Sequence, residues 1–308
     1  MNSDDLALFA RVAQAGSISR AALDLGVDQS TLSRRIGQLE AELGGRLFHR
    51  SGRGVTVTER GRQLLVYAET IERTLEDAAR SMRDSAQLGP ARLCVAAQPT
   101  IAQILFGSLA RALKAAFPLT QLRFVDGLAS QLLARLDDGE IDLAILYLPE
   151  RHAGLQFDPL LTEGIHLITP PHYGLEGKVV SAREFGDIPL ILPSTPHGLR
   201  LLAESLAAKH GFTLNVALEC DGSISLTKRL VVESGICTIL PAAAVMEEVA
   251  AGKLDSYRID PAVTREVAVV WPKKALLGED LGKVTRIIRH CAEGLVADGA
   301  WPDVRPIS

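Results

Sequence analysis

No apolar run in this sequence reaches the roughly 18–20 residues that a membrane-spanning helix requires. Its start, MNSDDLALFA, carries two aspartates where an export signal would carry lysine or arginine, so the chain is expected to be cytoplasmic, without a membrane partner. Cysteine is scarce. The four present, Cys94, Cys220, Cys237 and Cys291, lie far apart with no C-x-x-C pair, which argues against a disulfide framework and against a zinc site. His290 adjoins Cys291, but one adjacent pair without nearby ligands is not a metal-site spacing. No metal and no cofactor are expected. P-loop, nucleophile-elbow and paired-carboxylate motifs are all missing, so no catalytic residue is assigned and the chain is not read as an enzyme.

What is there suits a globular protein. Apolar residues make up 47% and charged residues 23% of 308, enough for more than one domain and a sizeable core. The net charge of −4 does not suggest a nucleic-acid partner, yet the average conceals a contrast. Between Gln29 and Arg53 stand five arginines, Arg34, Arg35, Arg46, Arg50 and Arg53, against Glu40 and Glu42.

That basic stretch sits in a helical unit spanning 1–58. Asp4 and Asp5 favour a helix start, and Leu6, Phe9, Ala10 and Ala13 form one apolar stripe before Gly16. Ser17 or Ser19 can cap a second helix, with Ala21, Ala22 and Leu25 facing in and Gly26 ending it. Asp28 then caps a third helix to about Leu43, with Leu32, Ile36 and Leu39 on its core face. Two helices across a tight glycine turn make a helix-turn-helix. The second begins with Gln29, Ser30, Thr31 and Ser33, hydrogen-bonding groups where a core helix would be apolar. After Gly44-Gly45, "RLFHR" and "VTVT" flank "SGRG", which predicts a two-stranded wing with Arg53 at its tip.

Residues 59–89 read as a long linker helix. Leu64, Ala68, Ile71, Leu75, Ala78 and Met82 alternate in steps of four and three, the seam of a coiled coil that would pair with a second copy. The competing reading is a single amphipathic helix lying on its own domain. Gly89-Pro90 ends it. Beyond, "RLCVAA", "QLRFVD" and "IDLAILYL" alternate with helices over 101–116 and 129–138. "HLITP", "PLILP", "LNVALE" and "ICTIL" form a second set, with helices near 198–210 and 223–234. The expected fold is therefore α/β: a winged helix-turn-helix, a linker helix, and over 90–308 two doubly wound, largely parallel halves enclosing a cleft.

With these elements placed, "LALFARVAQAGSISRAALDLGVDQSTLSRRIGQLEAELGGRLFHRSGRGVTVTERG" resembles the DNA-binding region of LysR-type transcriptional regulators. The likeness is carried by Phe9, Gly16-Ser17, Ala21-Ala22, Leu25, Gln29, Leu32-Ser33, Ile36, Leu39-Glu40, Leu43-Gly44, Leu47-Phe48, Arg50, Thr58 and Gly61. The remainder resembles that family's effector domain, with its periplasmic-binding-protein-like, two-lobed architecture. "PLILPSTPHGLRLL" and "VVESGICTILPAAAVMEEVAAGKL" are nearest in texture to the nitrogen assimilation control branch. The resemblance implies lobes built from about 91–163 plus 264–308 and from about 164–263, since the chain crosses twice. It also implies an operator of two half-sites in double-stranded DNA, a small-molecule effector, a dimer or homotetramer, and contact with RNA polymerase; free N–H groups at the helix starts suit an anionic effector. Ser30 and Thr31 stand where the family commonly has proline and alanine. Arg60 replaces an alanine and either reaches a phosphate or is solvated.

The candidate contacts follow from chemistry. Gln29 can pair bidentately with adenine and Arg34 with guanine, while Ser30, Thr31 and Ser33 offer adaptable contacts. Arg35 suits the phosphate backbone, and Arg53 a minor groove. The alternative is a solvated polar surface. For the effector, Gln98 and Thr100 stand at one strand-to-helix switch and Ser130 at a second, while Ser194, Thr195, His197 and Ser223 come from the other half. The alternative is that these residues only cap helices. Cys220 and Cys237 lie in apolar strands and are read as buried, inert thiols rather than a redox pair. His49 and His152 read as surface residues. The rival to a regulator is a two-lobed solute-binding protein, and within the first class a regulator without effector control.

Overall fold

α1 (Ser3–Ala15) starts at Asn2, whose side chain accepts the Asp5 N–H, and ends at Gly16 in the left-handed region. α2 (Ile18–Leu25) starts at Ser17, which accepts from the Arg20 N–H, so Ser17 rather than Ser19 is the cap. α3 (Gln29–Glu42) begins after Asp28, but the Asp28 side chain makes no capping hydrogen bond. In this computed structural model the described residues are 1–51, 54–81, 89–147, 154–171, 173–175, 177–182, 184–273, 277–278 and 280–307. Arg53, Met82 and His152 lie outside them.

The wing pairs β1 (Phe48–Ser51) with β2 (Gly54–Val57), Phe48 opposite Val57 and Ser51 opposite Gly54. The Val55 N–H donates to the Gly16 carbonyl at 2.9 Å. Gly54 allows that approach: its φ is +129°, and a Cβ there would collide with the Gly16 oxygen. Phe9 and Phe48 meet with ring centroids 5.1 Å apart over a core of Leu32, Ile36, Leu39, Leu47 and Ala68. Leu25, expected to face inward, is exposed, and Ile18 is buried instead.

α4 (Glu59–Ser81) divides the expected seam. Ala68 is buried in the N-terminal core with Leu64 packed against it, whereas Ile71 and Leu75 are 38% and 52% exposed. The near half thus lies on its own domain and the far half presents apolar groups to solvent. Arg60 is exposed, as one of its two readings had it, and is also tied to its own domain. Its Nη1 donates to the Gly44 carbonyl at 2.9 Å and pins α4 to the turn that follows α3.

The chain forms two compact units, the first comprising Met1–Leu93 with Phe117–Gln121 and Arg135–Glu140, the second the rest. The strands after the linker are β3 (Arg92–Ala97), β4 (Gln121–Asp126), β5 (Leu143–Tyr147), β6 (Leu155–Thr169), β7 (Val179–Ser181), β8 (Leu190–Leu192), β9 (Val216–Glu219), β10 (Cys237–Pro241), β11 (Asp255–Pro272) and β12 (Val304–Pro306). They form one sheet in the order β4-β3-β5-β11-β6-β10-β8-β9, with β12 on β6 and β7 on β11. The helices are α5 (Pro99–Ala116), α6 (Ala129–Asp137), α7 (Gly198–His210), α8 (Ile224–Ser234), α9 (Met246–Ala250) and α10 (Asp280–Ala297).

The expectation of a largely parallel sheet is corrected at its centre. β3 with β5 and β8 with β9 and β10 are parallel, but β5–β11, β11–β6 and β6–β10 are antiparallel. β6 and β11 pair from Asp255–Thr169 to Pro272–Leu155, with a register shift between Arg258 and Val263. One long strand leads out of the first half and the other leads back, so they run in opposite directions. Among the described residues no helix is long and apolar enough to cross a membrane.

Candidate DNA-reading surface and effector cleft

α3 buries Leu32, Ile36 and Leu39 on one side and leaves Gln29, Ser30 and Arg34 exposed on the other. Thr31 and Ser33 are half-buried at the margin. Arg35, expected to meet the phosphate backbone, is also bound within the protein. Its Nε and Nη2 both donate to Asp5 Oδ1, at 2.9 and 2.6 Å, which clamps α3 to α1. Arg50, not singled out from the sequence as a contact, donates through Nη1 to Ser33 Oγ at 3.4 Å and so joins the wing to α3. Glu40, which would repel a phosphate, is turned inward. Its Oε1 accepts the Leu47 and Phe48 N–H groups at 2.8 and 3.2 Å. The α3 face is thus left with hydrogen-bonding and cationic groups.

In the second unit the candidate cleft residues fall into two groups. Gln98 is fixed by β5: its N–H donates to the Ile145 carbonyl and its Oε1 accepts the Tyr147 N–H at 2.9 Å. Thr100, at the start of α5, is only 2% exposed and neighbours the Tyr147 hydroxyl. In the other group, Ser194 donates its N–H and hydroxyl to Asp221 at 2.7–2.8 Å, which holds the Asp221 carboxyl below its ordinary pKa. His197 caps α7, its Nδ1 accepting the Leu199 N–H. A ring that accepts at Nδ1 carries its proton on Nε2. Burial lowers the His197 pKa, the Arg265 charge lowers it further, and Asp221 opposes both. Ser130 and Thr195 are exposed, and Ser223 accepts the Leu226 N–H as the cap of α8. Arg200 is held by Glu204 and Glu219.

Sequence reasoning missed Arg265, Tyr147 and Glu163. Arg265 lies opposite Glu163 in the β11–β6 ladder, with its guanidinium carbon 3.1 Å from the Tyr147 ring centroid. Glu163 is fully buried and accepts the Trp301 indole N–H at 2.9 Å. The available signal was charge inside otherwise apolar strands, "LLTEGIHLI" and "TREVAVVW".

Cys237 is buried and its thiol is pushed up to about 11 by that burial. Cys220 is half-buried and accepts from the Thr227 hydroxyl. Among the described residues no three histidine, cysteine or acidic side chains gather as a metal site would require.

Residues 3–62 match the family model described as a bacterial regulatory helix-turn-helix protein of the lysR family, and residues 86–294 match the LysR substrate binding domain. A probable hydrogen peroxide-inducible genes activator of Mycobacterium avium is 31% identical, covering 81% of this chain and 80% of its own. A probable nitrogen assimilation transcriptional activator of Synechococcus elongatus is 28% identical over 97% of this chain and 96% of its own. Among solved structures, a full-length OxyR variant from Pseudomonas aeruginosa covers 95% of this chain and 96% of its own, with a TM-score of 0.72 and 24% identity. At that identity the likeness speaks for the fold.

Proposed function

This chain belongs to the LysR family of bacterial regulatory helix-turn-helix proteins, and from that premise we propose which residues carry its regulation. It is a DNA-binding transcriptional regulator with a C-terminal effector-binding domain, and not an enzyme. The solute-binding alternative leaves the match over 3–62 without a purpose.

The finer reading is ours. Gln29 and Arg34 read base edges in the major groove, with Ser30, Thr31 and Ser33 beside them and Arg53 reaching the minor groove. Arg35 serves mainly to fix the angle of α3, with Nη1 outside the Asp5 pair to meet a phosphate. The exposed Ile71 and Leu75 edge of α4 pairs with a second copy, and a further contact between effector domains makes a tetramer. Such an assembly spans two half-sites and works in the cytoplasm beside RNA polymerase. A small effector, anionic by the chemistry below, binds between a lobe of about 91–163 plus 264–308 and one of about 164–263. It touches Gln98, Thr100, Ser130, Thr195 and His197, with Ser194 and Ser223 shaping the wall. A ligand shifts the DNA-bound geometry only by binding one arrangement of the lobes better than another.

The observation that carries this reading is the division of labour on α3, with apolar residues buried and Gln29, Ser30 and Arg34 in solvent. A footprint of the full-length protein on the DNA flanking its own gene tests it. Protection of two sites about one or more helical turns apart is expected. Binding no tighter there than to random DNA overturns it. One observation favours regulation without an effector: the Ser194 and Ser223 hydroxyls are already committed within the protein. A footprint unchanged by every small molecule that stabilises the protein would establish that second reading.

A further inference from the structure

Arg265 is a cation in the wall of the second unit with almost no hydrogen bonding. Its side chain is 15% exposed. Its Nε is buried without a hydrogen-bond partner among the described residues. The carboxylate oxygen paired with it, Glu163 Oε2, is 3.7 Å from Nη2, close enough to balance the charge but too far to accept a hydrogen bond. Glu163 cannot readily move closer, because its Oε1 already holds the Trp301 indole and its side chain is fully buried. The guanidinium carbon lies over the Tyr147 ring. Charge is thus offset while the guanidinium donors have no acceptor at hydrogen-bond distance among the described residues, which at the buried Nε is costly unless something else accepts.

Two further side chains belong to the same surroundings. The Tyr147 hydroxyl lies beside Glu163 and Thr100 and is buried, with no hydrogen bond of ordinary geometry to either. From the other lobe, His197 feels the Arg265 charge; its Nδ1 is used as a cap and its Nε2–H is therefore a donor. Arginine, a phenol and a neutral imidazole can all donate, and they come from both of the proposed lobes.

We propose that Arg265 is the ligand-reading residue of the cleft and that its ligand is a small carboxylate, gripped by the guanidinium edge and reached by His197. This rests on the effector reading above and gives that ligand its chemical class. Glu163 is a positioning residue: it holds the guanidinium in register without occupying its donors. A carboxylate matches the fork in two parallel hydrogen bonds, which an amide of the same shape cannot do.

The test is a thermal-shift and calorimetric titration of the full-length protein with acetate, benzoate, succinate and salicylate, each beside its uncharged amide. At least one carboxylate is expected to raise the melting temperature where its amide does not. Arg265→Lys, which keeps a charge opposite Glu163 but loses the fork, should bind that carboxylate at least tenfold more weakly. The double variant Glu163→Gln/Arg265→Gln, which removes both charges and keeps the fold measurable, should lose it. No stabilisation by any of the carboxylates, equal binding of the amides, or undiminished binding by both variants overturns the proposal. A footprint separates it from the wider reading. An amide that binds and alters the footprint would refute the carboxylate site while upholding effector control. A carboxylate that binds through Arg265 without altering the footprint would uphold the site and refute control.

Discussion

Arg35 and Asp5 are joined by two hydrogen bonds onto one oxygen, so the arginine next to Arg34 is tied to α1 while Arg34 itself is exposed. Adjacent residues of the same type therefore have different tasks. Arg34→Ala should cost about 1–3 kcal/mol on a specific site and relax preference at one base position. Arg35→Ala should destabilise the winged helix by about 0.2–1 kcal/mol, since the pair is only partly buried, and weaken operator and random DNA alike. Anisotropy titrations on both DNAs, with a thermal melt, separate the two. A base-specific loss in Arg35→Ala would overturn the assignment.

Leu64 and Leu75 belong to one seam by spacing but to different surroundings. Leu64→Asp places a carboxylate against the N-terminal core and should lower the melting temperature of the protein. Leu75→Asp alters an exposed position and should leave melting of the winged helix nearly unchanged while splitting the oligomer. Analytical ultracentrifugation of both variants decides this, and a wild-type monomer at micromolar concentration would sink it.

Thr100 and Ser194 are expected to differ as well. Thr100→Val keeps the shape and removes a buried hydroxyl beside Tyr147, so the ligand response should be blunted with basal DNA binding intact. Ser194→Ala removes the hydroxyl that Asp221 accepts, so the Asp221 pKa should rise toward its ordinary value, visible by NMR titration. An unchanged Asp221 titration would contradict the observed geometry.

His197 gives a pH dependence with a definite sign. Burial and Arg265 lower its folded pKa below the ordinary 6.5, with Asp221 opposing. Between the folded value and about 6.5 the unfolded chain binds a proton that the folded one does not. Stability therefore rises with pH across that window and is lost on acidification through it. His197→Gln should flatten the slope of denaturation midpoints below about pH 6.5; a steeper slope would show the sign to be wrong.

The thiols can be ranked. With its pKa near 11 and no exposure, Cys237 should resist alkylation at about pH 8 in the native protein and react on unfolding. Half-buried Cys220 should react first of the two. Rapid native labelling of Cys237, followed by mass spectrometry, would revive a redox role.

The helix-turn-helix was legible because its signals are local. Ser17, Gly16 and Gly26 act within a few residues, and the apolar spacing of Leu32, Ile36 and Leu39 needs only helical periodicity. The α/β alternation from Arg92 to Cys237 was legible for the same reason. The β6–β11 ladder was not, because its partners are separated by about a hundred residues and its strands pass through two halves with different surroundings. The two fates of the α4 seam were equally hidden: Leu64 and Leu75 have the same spacing, and only the packing of α4 on the first core distinguishes them. So it is with the cleft. Serines at helix starts advertised themselves by position, but the hydroxyls of Ser194 and Ser223 engage Asp221 and the Leu226 N–H. Arg265, Tyr147 and Glu163 lie on three strands, and only the pairing of β11 with β5 and β6 sets a guanidinium against a ring and a buried carboxylate. Local preference is written in neighbouring residues, whereas the environment of a charge depends on every segment folded around it.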